Sequence, residues 1–166
     1  DGAENVTVSA SQLCPWTARD TVSTAQTSNV AVDVVVTNTG TVAGSKPLQA
    51  FVAPLSVPSL SGVLIASKSL FGLRKTLLLA VGGSETISFQ YAYEATSLSA
   101  SSNVVDCPLC TVDALGARSV RSGTYLLAIG GHAGNVLPND HYNSLSDESV
   151  ARIHINVVDG PVTCPL

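Results

Sequence analysis

The chain has 166 residues, of which 45% are hydrophobic and only 12% are charged. The apolar share excludes a disordered chain, and the length is that of a single domain with a core of its own. The formal net charge is −4 and the eight Lys and Arg residues are scattered along the sequence, which argues against nucleic-acid binding through phosphate contacts. With so few ions, the surface must be covered by Ser, Thr, Asn, Gln and Gly, which favours an extracellular or cell-surface protein.

The cysteines indicate the compartment in which the chain folds. There are four of them, Cys14, Cys107, Cys110 and Cys164. An even number in a chain rich in Ser and Thr predicts two disulfides formed in an oxidising environment. Four cysteines allow three pairings, and the sequence does not choose among them.

The start of the chain and its longest apolar stretch bear on targeting. The chain begins at Asp1 and contains no Met, so we interpret it as a processed form or a fragment of a longer product. The longest apolar stretch, Gly62 to Val81, is interrupted by Lys68, Arg74 and Lys75. A membrane-spanning helix needs about 20 consecutive apolar residues, so we expect no membrane span.

The predicted elements begin with a strand at the N-terminus. The segment Glu4 to Ala10 (ENVTVSA) alternates and places Val6 and Val8 on one face, as half-buried strands do. A polar connector follows it. We therefore predict that residues 1–28 form an N-terminal strand and connector and that residues 29–166 form a β-sandwich.

The N-terminal strand also carries an acceptor sequence for N-linked sugar. Asn5-Val6-Thr7 is an N-glycosylation sequon. Because the composition is that of a secreted protein, we expect covalently attached glycan at Asn5, and an occupied Asn5 must face solvent.

The central stretch is Val30 to Gly44 (VAVDVVVTNTGTVAG). Its β-branched residues alternate with period two, which predicts a strand with Asp33 on the solvated face. The strand stops at Asn38-Thr39-Gly40, where Asn and Gly tolerate the conformations of a turn. A returning strand is predicted from Pro47 to Val52.

The rest of the chain repeats this pattern of short apolar or alternating runs between turn residues. Gly123–Ile129 is almost entirely apolar and is predicted to be a central strand. The other predicted strands are Leu70–Leu79, Glu85–Tyr93, Val112–Val120 (with a turn at Leu115-Gly116) and Val150–Val158.

Seven or eight short strands with no predicted helix indicate an all-β protein, an antiparallel β-sandwich of the fibronectin type III or immunoglobulin-like kind, with an extra N-terminal strand. The immunoglobulin spacing of Cys, Trp and Cys is absent, because Trp16 follows Cys14 almost directly. The fibronectin type III-like branch is therefore favoured.

Three segments, in order, resemble one known family. They are VAVDVVVTNTGTVAG, LFGLRKTLLLAVGGSETISF and VDALGARSVRSGTYLLAIGG, which together span roughly Val30 to Gly131. Each resembles a motif of the fibronectin type III-like domain at the C-terminal end of family 3 glycoside hydrolases, the β-glucosidases and β-xylosidases. The chain departs from the family at Val81-Gly82, where the family usually has Pro-Gly. The resemblance implies the fold and an accessory role, and no catalytic residue, because that family's catalytic carboxylates lie mainly on other domains.

Residue patterns for redox chemistry or metal binding are weak. Cys107-Pro108-Leu109-Cys110 is a CxxC motif, but no βαβ pattern surrounds it, so a structural disulfide is favoured over a redox pair. A zinc site of four ligands needs a second matched pair, which is missing. We predict no metal, no cofactor and no catalytic residue.

Two loop features are interpreted as solvated loops. One long polar loop carries acidic and His residues without the ligand spacing of an EF-hand. The Gly-rich segment Gly130 to Gly134 lacks the lysine and the helix of a phosphate-binding loop. The residues concerned in the long loop are His132, Asp140, His141, Asp147 and Glu148.

We weigh three functions. The first is a non-catalytic extracellular structural module, a homo-oligomer or filament in which the strand of Val6 and Val8 adds to the sheet edge of a neighbouring protomer. Head-to-tail addition that does not close produces a filament. The second is an accessory domain of a family 3 glycoside hydrolase, with a glycosidase or a polysaccharide as partner. The third is an independent hydrolase, which needs a pair of carboxylates that the sequence does not indicate.

Two features discriminate between these functions. If Val6 and Val8 pair within their own chain, the assembly hypothesis loses its mechanism. Binding of sugar by stacking needs a row of exposed aromatic side chains, and only Trp16, Tyr93 and Tyr142 are candidates in a chain with 5% aromatic residues. Attached sugar is therefore favoured over a bound sugar ligand.

Overall fold

The computed structural model describes residues 4–13, 30–58, 61–91, 108–130 and 150–164. These residues form strands and one short helix, so the predicted all-β class is confirmed. The elements are β1 (Glu4–Ser9), α1 (Ala10–Leu13), β2 (Val30–Thr37), β3 (Pro47–Ser56), β4 (Val63–Leu64), β5 (Ser69–Lys75), β6 (Ser84–Tyr91), β7 (Cys110–Asp113), β8 (Arg118–Val120), β9 (Gly123–Gly130), β10 (Ala151–Val158) and β11 (Val162–Cys164).

The strands form three sheets. The largest has five strands in the order β1-β10-β9-β3-β5, the second has four in the order β11-β8-β7-β4, and β2 pairs with β6 in a two-stranded ribbon. Pairing is antiparallel throughout except between β1 and β10, which run parallel. The position of β9 between β10 and β3 confirms that Gly123–Ile129 is a central strand.

The three sheets share one hydrophobic core. Its most deeply buried side chains come from every sheet, so each sheet covers the apolar faces of the others. Full burial of one such side chain stabilises the fold by about 1.5–3 kcal/mol relative to leaving it in water. The largest of them include Val52, Phe89, Val120, Leu127 and Ile155, each at most 2% exposed.

The alternation read from the sequence places the correct side chains in this core. In β10, Ile153, Ile155 and Val157 are buried while their neighbours are half-buried or exposed. In β6, Ile87 and Phe89 lie two residues apart and are both buried. Period-two patterns are reliable here because each strand has one face toward the core and one toward solvent.

The returning strand after the central stretch does not pair as a hairpin. β2 pairs with β6, whereas β3 pairs with β5 and β9 in the five-stranded sheet. The interpretation of β2 and β3 as a strand, a turn and a returning strand is therefore wrong in its pairing. Residues 38–46 carry the chain from one sheet to the other, and Gly44 in this segment forms an isolated bridge with Leu79.

Several strand boundaries differ from those predicted from the sequence. β3 continues through Pro54 to Ser56, although a proline lacks the amide hydrogen of a regular strand. The register with β9 shifts between Pro54 and Ser56, and this irregularity accommodates the proline. The extended run predicted to reach Leu79 ends as a strand at Lys75.

Candidate functional site

The N-terminal strand lies at one edge of the five-stranded sheet. Val6 is in register with Ile155 and Val8 with Val157, all in the same chain. Val8 is buried and Val6 is half-buried against the core. These two valines therefore complete the sheet of their own chain. Their predicted placement in a neighbouring protomer is corrected, because the apolar face of β1 is already covered by its own core.

The opposite face of the same strand points to solvent. Asn5 and Thr7 are exposed, and they lie in register with His154 and Asn156 of β10. The asparagine of the sequon is thus accessible at the sheet edge, as attachment of sugar requires. Glycan at Asn5 remains a prediction.

The cysteines of the described residues lie side by side. The sulfur atoms of Cys110 and Cys164 are 3.8 Å apart, whereas a disulfide joins sulfurs at about 2.05 Å. Both cysteines are disulfide-bonded, so neither of them is the disulfide partner of the other. The pairing of Cys110 with Cys164 is therefore excluded. Cys14 and Cys107 lie outside the described residues, and the two remaining pairings stay open.

Asn38 organises the end of the molecule where the chain crosses between sheets. Its side-chain amide donates to the carbonyl oxygens of Val42 and Leu79, each at 3.0 Å, and its side-chain oxygen accepts from the amide of Gly40 at 3.0 Å. Its backbone nitrogen donates to Gly83 at 2.9 Å. One asparagine therefore joins the loop of residues 38–46 to the loop of residues 76–83.

Further hydrogen bonds fix the same two loops. Gly44 and Leu79 exchange backbone hydrogen bonds of 3.0 and 2.8 Å. The backbone nitrogen of Lys46 donates to the hydroxyl of Thr76 at 2.8 Å, and Thr76 is buried. These hydrogen bonds together hold the two loops in one conformation. Few side chains of the loops enter the core.

The opposite end of the five-stranded sheet is built around Tyr125, near the start of β9. Its hydroxyl donates to the backbone carbonyl of Arg121 at 3.2 Å. A tyrosine bonded to the chain a few residues upstream marks this corner in immunoglobulin-like sandwiches. Burial raises the pKa of the Tyr125 hydroxyl above its ordinary value of 10.0, and the nearby Arg121 guanidinium opposes that shift.

Arg121 is itself buried. Its Nη1 donates to the carbonyl of Pro58 at 3.1 Å, while its Nε has no hydrogen-bond partner among the residues that the structure describes. A cavity of about 10 Å³ lies beside Tyr125 and is lined by Val52 and Thr111 among others. This space holds about one water molecule. It is too small for a sugar.

Three of the described carboxylates, those of Asp33, Glu85 and Asp113, accept hydrogen bonds within the fold. The hydroxyl of Ser88 donates to Asp33 across the ribbon. Asp113 accepts from the amides of Leu115 and Ala117 at 2.8 and 2.9 Å and shapes the turn between β7 and β8. These carboxylates accept hydrogen bonds from a neighbouring strand or from the adjacent turn.

Several predicted features lie outside the described residues. Within residues 4–13, 30–58, 61–91, 108–130 and 150–164, no group of three or more metal-binding side chains occurs. In that same part of the chain, no helix is long and apolar enough to span a membrane. The features that cannot be placed are Trp16, Tyr93, His132, Asp140, His141, Tyr142, Asp147 and Glu148.

Sequence reasoning missed the two residues that hold the ends of the sheet. Asn38 was read only as a turn residue, although its position between a strand and a Gly is typical of side chains that bond to nearby backbone. Tyr125 was read only as part of an apolar strand. Its position two residues after Gly123, at the start of the central strand, is a signal that could have found it.

Comparison with known proteins gives a likeness of fold. No protein-family model matches the chain. No curated protein matches its sequence. Among solved structures, a family 3 exo-β-xylosidase in complex with a xylobiose aziridine probe superposes with a TM-score of 0.63 at 13% identity and covers 100% of the chain.

Two β-glucosidases match in the same way. The enzyme from Kluyveromyces marxianus, in complex with glucose, has a TM-score of 0.52 at 22% identity over 80% of the chain. β-Glucosidase 3B from Thermotoga neapolitana, in complex with α-D-glucose, has a TM-score of 0.54 at 16% identity over 82% of the chain. The predicted resemblance to family 3 glycoside hydrolases is therefore confirmed as a likeness of fold. The chain spans only 17%, 12% and 14% of these three enzymes, respectively.

Proposed function

We propose that the chain is a non-catalytic accessory β-sandwich module of the kind that family 3 glycoside hydrolases carry. The observation that supports this proposal is the fold match over the whole chain to about a sixth of a family 3 xylosidase. A module of this size adds a packed surface to a larger protein, and the catalytic carboxylates are supplied elsewhere. Its partners are a glycosidase or a polysaccharide.

The packing of the described residues is consistent with this role. Side chains at the centre of the sandwich are almost fully buried, and the cavity beside Tyr125 holds about one water molecule. Pockets that bind small molecules have volumes of about 300–1,000 Å³. The cavity beside Tyr125 is therefore far smaller than a small-molecule pocket.

An activity assay on the isolated chain tests this proposal. We expect no hydrolysis of chromogenic β-glucosides or β-xylosides above the buffer rate, and a monodisperse monomer by light scattering. Turnover that copurifies with the chain and disappears when a single carboxylate is replaced would overturn the non-catalytic assignment.

A second function, self-assembly, would have to use exchange of β1 between copies, because Val6 and Val8 pair within their own chain. This strand lies at a sheet edge, its described strand pairing is with β10, and residues 14–29 separate it from β2 in sequence. Exchange of an identical element between protomers uses the same contacts in both arrangements. A self-assembling extracellular filament can therefore form if β1 of one copy occupies this edge in the next.

The disulfides and the sequon support an extracellular setting for either function. Cys110 and Cys164 are both disulfide-bonded, and disulfides persist in oxidising compartments. Asn5 is exposed at the sheet edge, where it can carry the predicted glycan. We propose secretion to the cell surface or beyond.

Native size and morphology separate the two functions. Regular fibres in negative stain that disappear when residues 1–12 are deleted would establish exchange of β1. Monomers at all concentrations would leave the accessory module as the function of the chain.

A further inference from the structure

The N-terminal segment is anchored in the core by the short helix that follows β1. We call residues 4–13, which comprise β1 and α1, the N-terminal arm. Ala10 and Leu13 of α1 are fully buried and belong to the shared hydrophobic core, together with Val8 of β1. The arm contacts two sheets, because β1 pairs with β10 in the five-stranded sheet whereas α1 lies next to β8 in the four-stranded sheet.

The two described cysteines lie on either side of β8. The four-stranded sheet has the order β11-β8-β7-β4, with Cys110 in β7 and Cys164 in β11. Each of them is in register with a residue of β8. The strand next to α1 is therefore flanked by both cysteines, and the residue that follows Leu13 in the chain is Cys14.

The number of cysteines limits the partner of Cys14. The chain has four cysteines. Cys110 and Cys164 are both disulfide-bonded, and their sulfurs, 3.8 Å apart, are too distant to be bonded to each other. One of them is therefore bonded to Cys14 and the other to Cys107. In both pairings that stay open, Cys14 is joined to a strand of the four-stranded sheet next to β8.

We propose that this disulfide is a covalent lock that fixes the N-terminal arm in whichever sandwich holds it. In a monomer, the lock keeps β1 at the edge of its own five-stranded sheet, because Cys14 directly follows the arm and is bonded to the same sandwich. This consequence does not depend on self-assembly. The lock also restrains a segment that is otherwise weakly held, since β1 pairs with β10 alone among the described strands and terminal segments open at low cost.

The lock has a different consequence if copies exchange β1, and this part rests on the self-assembly proposed above. Cys14 then moves with the arm, so its disulfide joins the arm of one copy to the four-stranded sheet of the next. Repeated head-to-tail exchange that does not close would give a filament whose subunits are linked by disulfides. The partner is a second copy of this chain, and the bond between copies is covalent.

The connector after the arm is long enough for either arrangement. Residues 15–29 separate Cys14 from Val30 at the start of β2, and they span about 50 Å when fully extended. The diameter of a small domain is about 30 Å. The disulfide, rather than the length of the connector, therefore decides whether a folded molecule can exchange its arm. Exchange must precede formation of the disulfide.

Mapping the disulfides of the unreduced full chain tests the pairing that the lock requires. A protease that cuts after Leu109 separates Cys107 from Cys110, and mass spectrometry then identifies the linked peptides. We expect Cys14 to be linked to Cys110 or to Cys164. A link between Cys14 and Cys107 would overturn the proposal.

Amide hydrogen exchange tests whether the disulfide holds the arm. If Cys14 is bonded to Cys110, the test variant is Cys14→Ser/Cys110→Ser and the matched control is Cys107→Ser/Cys164→Ser. If Cys14 is bonded to Cys164, Cys110 and Cys164 change places in these variants. The test variant should exchange the amides of β1 at least about tenfold faster than the control, with those of β9 unchanged.

Two results of that experiment would count against the lock. Equal protection of β1 in the test variant and the control would mean that the disulfide does not hold the arm. Loss of protection in β9 as well as β1, in the test variant alone, would mean that the disulfide stabilises the whole sandwich rather than the arm.

Electrophoresis in SDS without reductant separates the lock from self-assembly. A ladder of sizes that a dithiol collapses to monomers indicates locks between copies, since the dithiol converts each disulfide to two thiols and is itself oxidised to a cyclic disulfide. Monomers alone, with Cys14 linked as expected and no fibres in negative stain, would support the lock and remove self-assembly. Fibres that require residues 1–12 yet give only monomers would support self-assembly and overturn the lock between copies.

Discussion

The two ends of the five-stranded sheet use polar side chains in opposite ways. At the Tyr125 end, the hydroxyl and the Arg121 guanidinium are buried among apolar residues and bond to backbone carbonyls. At the Asn38 end, one amide side chain lies between two loops while the aliphatic residues face outward. Both arrangements stabilise the fold, and the second also holds exposed loops in one conformation. One end of the sandwich is therefore closed by buried polar bonds, whereas the other exposes aliphatic side chains on loops that one asparagine holds together.

The glycines of the two ends show the same contrast. A Cβ added at Gly123 would lie 2.5 Å from the carbonyl oxygen of Ser56 and 2.9 Å from a methyl carbon of Val57, and the φ angle there is +151°. A Cβ added at Gly44 would meet no atom within 4 Å. Packing is tight at the Tyr125 end and open at the Asn38 end.

The largest expected effect on stability comes from adding a side chain at Gly123. Gly123→Ala should destabilise the fold by about 3 kcal/mol, because the backbone must shift and the conformation disfavours a side chain. Urea unfolding followed by circular dichroism measures this loss. The control Gly44→Ala should lie within about 0.5 kcal/mol of the wild type. Equal losses at both positions would contradict the difference in packing.

Removing the side chain that joins the two loops should have a smaller effect. Asn38→Ala loses two donated hydrogen bonds and one accepted bond, and we expect a loss of about 2 kcal/mol in the free energy of unfolding. Asn38→Asp retains the acceptor for Gly40 and lacks the donors, so its loss should be similar. Full stability of Asn38→Asp would show that the donated bonds to Val42 and Leu79 contribute little.

The smallest effect is expected at the buried hydroxyl. Tyr125→Phe removes the bond to the Arg121 carbonyl and should cost about 1 kcal/mol at pH 7. The pKa of Tyr125 is raised by burial in the folded state. Below the ordinary value of 10.0 both folded and unfolded states keep the proton, so the hydroxyl contributes no pH dependence there.

Above that value the unfolded state loses the proton first, and stability falls as pH rises toward the folded-state pKa. The difference in unfolding free energy between the wild type and Tyr125→Phe should therefore shrink as pH rises above 10.0. Short thermal scans at increasing alkaline pH measure it. A difference that stays constant would mean that the folded and unfolded pKa values of Tyr125 are equal.

The sequence predicted the strands better than their pairing. Alternation in β2, β6 and β10 is a local property, and it agrees with the buried faces of these strands. Pairing depends on residues far apart in sequence, such as Val34 with Ile87, and no local pattern encodes that choice. The two-residue strand β4 is too short to show a period at all.

The candidate site was harder to predict for a related reason. An alternating strand followed by a polar connector looks the same whether it completes its own sheet or that of a neighbour. The parallel register of Val6 with Ile155 and of Val8 with Val157 cannot be derived from either segment alone. The exposure of Leu77 and Leu78 was missed because both residues fit the pattern of a strand, whereas the strand ends at Lys75.

The parallel pairing of β1 with β10 has a mechanical consequence. Glu4 lies beside Ile153 and Ser9 beside Val158, so tension applied before Glu4 and after Val158 pulls the two strands in opposite directions along their length. The hydrogen bonds between them then carry the load together in shear, instead of opening one after another as in a hairpin pulled apart. The rate of forced unfolding would be set by this simultaneous rupture.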